Sequence, residues 1–194
     1  MARRAGTKKQ ETHERIVRTA AAAIRKHGFQ GISVADLMEE AGLTHGGFYA
    51  HFASRDAMLA EALDEAANDS LGRLSKVADD KKPEDTLEAT VDYYLSDRHV
   101  DAVERGCTLA ALGSETARQS PEIRRVATRR VRELADLIER QMAGWGKTAR
   151  HEDALGVMST MVGALLISRV VDDPQLSKEI RASAKRLVAR RVTK

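Results

Sequence analysis

The stretch from Phe29 to Phe52, FQGISVADLMEEAGLTHGGFYAHF, constrains this chain more than any other. Val34, Leu37, Met38 and Ala41 fall at i, i+3, i+4 and i+7, so they share one face of a short helix. Ser33 stands where that helix needs an N-terminal cap, and Asp36 three residues later completes a capping-box pattern. Gly42 breaks the helix where a left-handed residue is wanted, and Leu43 turns back towards the core. Thr44 is placed to cap a second short helix whose Phe48 and Phe52, four apart, face inward. Thr44, His45, Gly46, Gly47 and Tyr49 then lie at or near the exposed N-terminal end of that second helix. In a helix-turn-helix this end enters the DNA major groove. Two adjacent glycines inside a helix cost about 1 kcal/mol each relative to alanine. A compensating gain is expected, and close approach of the backbone to a phosphate or base edge would supply one. The spacing taken alone fits the corner of any small helical protein equally well.

The residues around the turn narrow the choice. Gly28-Phe29 ahead of the first helix, AGLT across the turn, and FYAHF followed by Ser54-Arg55-Asp56 resemble the N-terminal signature of TetR-family transcriptional regulators. The resemblance covers about the first quarter of the chain, with turn, recognition helix and the start of the next helix all in register. Two positions depart from the pattern. Met38 fills a slot that is often small, which predicts a slightly wider helix pair, and Gly47 replaces a common hydroxyl residue, so the base-reading code does not carry over. The resemblance implies a DNA-binding regulator, with Arg3, Arg4, Ser33, Tyr49, His51 and Arg55 on phosphates and Thr44, His45, Gly46 and Gly47 as the reading surface. It also implies a homodimer on a palindromic double-stranded operator, a small-molecule effector, and a repressor's mode of action.

The rest of the chain fits an all-α protein, with a helix-turn-helix domain at 1–53 and a helical ligand-binding and dimerisation domain at 54–194. Charged residues make up 31% of the sequence and aromatics 4%, which suits helices and argues against a β-sandwich. Residues 1–9 carry Arg3, Arg4, Lys8 and Lys9 without an acid, a basic arm ahead of a helix expected over about 10–26. A long connecting helix starts after the cap Ser54, and the loop at 78–85 ends in a Pro83 suited to a first helical turn. Helices are expected to about Leu95, over Cys107 to Arg118, from Pro121 to about Gly144, over Ala154 to Val171 and over about 176–191, with 96–106 read as loop holding at most one turn. The helix from Ala154 to Val171 is apolar on more than one face and must bury more than one side, either against its own core and a second subunit or as a central core helix of a monomer.

Other chemistries find no support. Gly146-Lys147-Thr148 lacks the upstream glycine and strand of a phosphate loop. The six histidines form no Glu-x-x-His pattern, and there is neither a His-Glu-x-x-His nor a paired-cysteine zinc motif, so no metal, cofactor or enzyme activity is expected. A net charge of +3, from 32 basic and 29 acidic residues, fits a small basic reading head better than a DNA-packaging protein. No apolar run approaches the roughly 20 residues of a membrane span, no signal peptide is visible, and the single cysteine fits a reducing compartment. A cytoplasmic protein with no membrane partner is therefore expected.

Two groups in the second domain are candidates for effector recognition. Cys107, near a helix start after Arg105, is placed to act as an oxidant or electrophile sensor, although a lone cysteine is usually a small buried hydrophobe. Tyr93, Tyr94, Met142, Trp145, Met158 and Met161 would line an apolar pocket within the bundle, or else form plain core.

Overall fold

A computed structural model of the chain describes residues 2–79, 81–142 and 151–192. Among these residues there is no strand. The helices are α1 Ala2–His27, α2 Val34–Glu40, α3 Arg55–Asp79, α4 Thr86–Tyr94, α5 Asp97–Asp101, α6 Thr108–Thr116, α7 Pro121–Met142, α8 His151–Val170 and α9 Pro174–Val192. Short 3₁₀ helices occupy His45–Ala50, Pro83–Asp85 and Val103–Arg105.

The apolar periodicity places most of these elements, and three differ from expectation. Helix α1 starts at Ala2, so the expected arm is helical; alanine, arginine, lysine and glutamine all favour that conformation. The second helix of the turn motif is a 3₁₀ helix, and the Thr44 side chain makes no capping hydrogen bond. Six residues containing Gly46-Gly47 are too few and too weakly helical to sustain α-type bonds. Residues 96–106, expected as loop, hold α5, capped by the Ser96 side chain, and the 3₁₀ turn at Val103–Arg105.

Two apolar cores form. The first gathers Ile16, Ala20, Ala23 and Ile24 of α1, Leu37 and Met38 of α2, Phe29, Phe48 and Phe52, and Met58, Leu59, Ala60, Ala62 and Leu63 of α3. It also contains Leu112 of α6 and Ile123 of α7, both fully buried. The second core gathers Leu74 of α3 with α4, α6, α7, α8 and α9. Helix α3 therefore runs through both, and α6 plugs into the first while lining the second.

By length and composition α8 is the one helix among the described residues that is apolar enough to cross a membrane. It packs against α7 and α9 in the bundle. Leu155, Ile167 and Val170 of α8 and Leu176 and Leu187 of α9 are nevertheless exposed, leaving one apolar face of this helix pair uncovered.

Candidate functional site

The turn is held by its own backbone. Ser33 Oγ accepts the Asp36 N–H at 3.1 Å and donates to the Asp36 carboxylate at 2.7 Å, so the expected pair closes on itself. At the other end Gly42 lies at φ +69°, its N–H reaching Glu39 O and that of Leu43 reaching Met38 O, both at 2.8 Å. Those two bonds form a Schellman motif, and only glycine takes the left-handed angle without strain. The 3₁₀ helix is anchored by Phe48, fully buried, whose ring packs against Phe52 at 5.4 Å between centroids.

This anchoring presents Thr44, His45, Gly46 and Tyr49 to solvent, with Tyr49 73% exposed. Neither glycine has a positive φ. A Cβ on Gly46 would meet nothing within 4 Å, and one on Gly47 would make ordinary contact with Met38 Cε at 3.7 Å. Nothing inside the protein requires glycine at either position. Met38 itself is completely buried under this contact.

Three of the expected phosphate ligands have other engagements. Arg55 points inward, its Nη2 donating to the carbonyls of Phe29 and, at 3.3 Å, Ile32; it braces the α1–α2 connection instead of facing outward. Ser33 is committed to its cap. His51 packs beside His13 and Phe52, and its protonated form is disfavoured by burial first and then by the His13 and Lys9 charges. Arg3 and Arg4 lie in the first turns of α1.

The head is tied to the body through α6. Glu115 Oε2 accepts the Phe29 N–H at 2.9 Å, and the carboxylate sits 2.6 Å from where a Cβ on Gly28 would lie. Gly28 has φ +77° and ends α1, so its missing side chain leaves room for the carboxylate. Phe29 is thus held at its N–H by α6 and at its C=O by α3.

The N-terminus of α6 lies in the second core. Cys107, 4% exposed, flanks a small cavity of about 20 Å³ together with Tyr94, Thr108, Leu109, Leu71, Leu74 and Leu134. Tyr94 and Cys107 of the expected ligand set line it. Met142, Met158 and Met161 are buried in the surrounding core, Tyr93 is half-buried against His99, and Trp145 lies outside the described residues. His99 locks this corner. Its Nδ1 donates to Tyr94 O at 2.7 Å, and its Nε2 accepts the Cys107 N–H at 3.1 Å, an arrangement open only to the neutral ring. Burial, aided by the Arg169 and Arg73 charges and opposed by the Tyr94 carbonyl, lowers its pKa from 6.5 to about 4.

Arginines fix the segment between α4 and α6. Arg169 donates to His99 O at 2.6 Å and Val100 O at 3.2 Å; Arg181 donates to Leu95 O and pairs with Asp97 at 2.7 Å; Arg73 donates to Arg105 O. Sequence reading missed Glu115, His99 and Arg169. A lone arginine near the end of the apolar run 154–171 was the one visible signal among them. Asp136, Glu139 and His151 bring three ligand-capable atoms within 4.8 Å, but Asp136 and His151 are exposed and His151 already bonds Glu139 at 2.9 Å. That cluster reads as a surface ion pair joining α7 to α8.

Known proteins resemble this chain in sequence and fold. Residues 16–62 match the model for bacterial regulatory proteins of the tetR family, and residues 83–182 match that for the C-terminal domain of LmrA/YxaF-like transcriptional regulators. An uncharacterized HTH-type transcriptional regulator of Mycobacterium tuberculosis is 28% identical over 173 residues, covering 84% of this chain and 87% of that protein. The uncharacterized HTH-type regulator YerO of Bacillus subtilis is 28% identical over 90 residues, 45% of this chain and 31% of that protein. The crystal structure of a TetR transcriptional regulator from Chloroflexus aurantiacus superimposes with a TM-score of 0.80 at 25% identity, over 97% of each chain.

Proposed function

Because this chain belongs to the TetR family of DNA-binding transcriptional regulators and is not an enzyme, we propose that it is a homodimeric repressor released from a palindromic operator by a small molecule. The observation that carries this reading is the double attachment of α6: its N-terminal end walls the cavity at Cys107, and its C-terminal Glu115 holds Phe29 of the head. The cavity is bounded by α3, α4, α6 and α7, and α3 and α6 are the two helices that enter the first core. At about 20 Å³ it has room for roughly one water. A small molecule with an apolar body must therefore push these helices apart to enter, and the heads move with them. The conformer so favoured spaces the two heads wrongly for the operator, and DNA is released by population shift.

The exposed face of α8 and α9 supports the dimer, since five large apolar side chains there find no cover among the described residues. Thr44, His45, Gly46, Gly47 and Tyr49 form the reading surface, with the basic start of α1 at the flanking phosphates. Cys107 favours a second form of the signal, in which an electrophile bonds to its sulfur and the thiol proton passes to the adduct. Action on chromosomal operators places the protein in the cytoplasm.

The test is binding of purified protein to a duplex from the DNA flanking its own gene, in a salt series with competitor. A protected palindrome with competitor-resistant binding is expected. Binding that tracks salt and ignores sequence would overturn the operator.

A further inference from the structure

Three features at the α6 N-terminus ask for the same kind of partner. The Tyr94 hydroxyl is completely buried, and the group beside it is the Cys107 thiol, a weak hydrogen-bonding partner that leaves it without a strong acceptor. Arg169 uses Nε and Nη2 on the carbonyls of Val100 and His99, while its Nη1 is buried without an acceptor. Among the described residues no carboxylate lies within ion-pair distance of this guanidinium, and Glu104 attracts it only from farther away. It passes so close to Gly106 that a Cβ there would lie 2.5 Å from Nη2, which places it next to the cavity wall at Cys107. The third feature is α6 itself, whose first turn has no side-chain cap and whose residues Cys107, Thr108 and Leu109 line the cavity.

A buried donor without an acceptor is destabilising, and a partly buried charge with no ion-pair partner is too. A helix N-terminus adds a positive end of its dipole at the same place. All three features donate or are positive, and none offers a carboxylate. The Tyr94 and Arg169 groups also feel one another electrostatically, together with Cys107.

We propose that this corner is an anion subsite, and that the effector is an organic acid whose carboxylate is received by Arg169 Nη1, Tyr94 Oη and the first turn of α6 while its apolar body opens the cavity towards Leu71, Leu74 and Leu134. This rests on the effector reading given above and adds its chemical class. An acid seated there pushes on the end of α6 opposite the Glu115 attachment, so binding and head displacement share one rigid element.

The test uses the full-length protein with benzoate and phenylacetate, each compared with its amide at matched ionic strength. Thermal shift and operator release are the two readouts. The acids are expected to raise the melting temperature and release DNA at concentrations at least about tenfold below the amides. Tyr94→Phe keeps the ring and removes only the buried hydroxyl. It is expected to fold as well as the parent and to bind the acids about tenfold more weakly. Arg169→Gln, which retains donors for the two carbonyls, is expected to erase the preference for acid over amide. Equal action of acids and amides on the parent protein, or undiminished acid binding by Tyr94→Phe, would overturn the subsite while leaving the effector cavity standing. If neither class shifts melting or releases DNA, the cavity is not an effector site and the subsite falls with it.

Discussion

Glu115 and Phe29 lie 86 positions apart, and the carboxylate of the first accepts the backbone N–H of the second at 2.9 Å. Arg55 of α3 holds the carbonyl of the same residue, Phe29, so the turn that orients the reading head is fixed from both sides. Glu115→Ala should therefore cost about 1–2 kcal/mol in urea denaturation and weaken operator binding. Glu115→Gln, which keeps an acceptor oxygen, should stay near the parent in both measurements. If both variants bind operator like the parent, the attachment does not set head orientation.

Gly46 and Gly47 have room for a side chain and ordinary backbone angles within the protein. Alanine at either site should stabilise the free protein by about 0.5–1 kcal/mol, because the unfolded chain loses conformational freedom. The same substitutions should weaken binding to the operator, since the added methyl stands between backbone and DNA. Calorimetry and a binding titration on one preparation decide it; a variant that is more stable and binds equally well would remove the close-approach argument.

His99 titrates in the unfolded chain near 6.5 and in the folded protein near 4. The folded state thus holds fewer protons between these values, and stability falls as pH drops through that window. The stabilising contribution is complete above pH 6.5 and is lost towards pH 4, with a ceiling of about 3 kcal/mol. Chemical denaturation at pH 7 and pH 5 should show the loss, and His99→Gln should flatten it. An unchanged pH profile in that variant would assign the sensitivity to other groups.

Leu187 is 58% exposed and Ile167 48% exposed on the uncovered face of α8 and α9. Leu187→Glu or Ile167→Glu should leave helicity intact but shift sedimentation from dimer to monomer. Binding to a palindrome should collapse with it, because two half-sites are then met by separate molecules. A dimer that survives both substitutions would place the interface elsewhere.

Local chemistry made the turn motif readable before any coordinates. Ser33, Gly42, Phe48 and Phe52 each act within a few residues of themselves, and each does in the structure what its spacing indicates. The apolar stripes of α3, α4 and α7 were legible for the same reason. Arg55 was misread because its sequence position beside the reading helix says nothing about which way a long side chain turns; two free carbonyls at Phe29 and Ile32 draw it inward. Glu115, His99 and Arg169 were not legible, since each gains its meaning from a partner brought near by folding. The 3₁₀ form of His45–Ala50 was missed because capping and periodicity over six residues do not distinguish it from an α-helix.

The presence of Leu112 and Ile123 inside the first core has a bearing on how such regulators are recombined. A reading head cut out at the end of the turn motif would leave behind two fully buried side chains and the acceptor for Phe29. Its interior would be open where α6 and α7 should close it. Grafting a new DNA preference onto this body is therefore expected to succeed by exchanging the exposed Thr44, His45, Gly46 and Tyr49 in place, whereas transplanting whole segments breaks a core that two distant stretches of the chain build jointly.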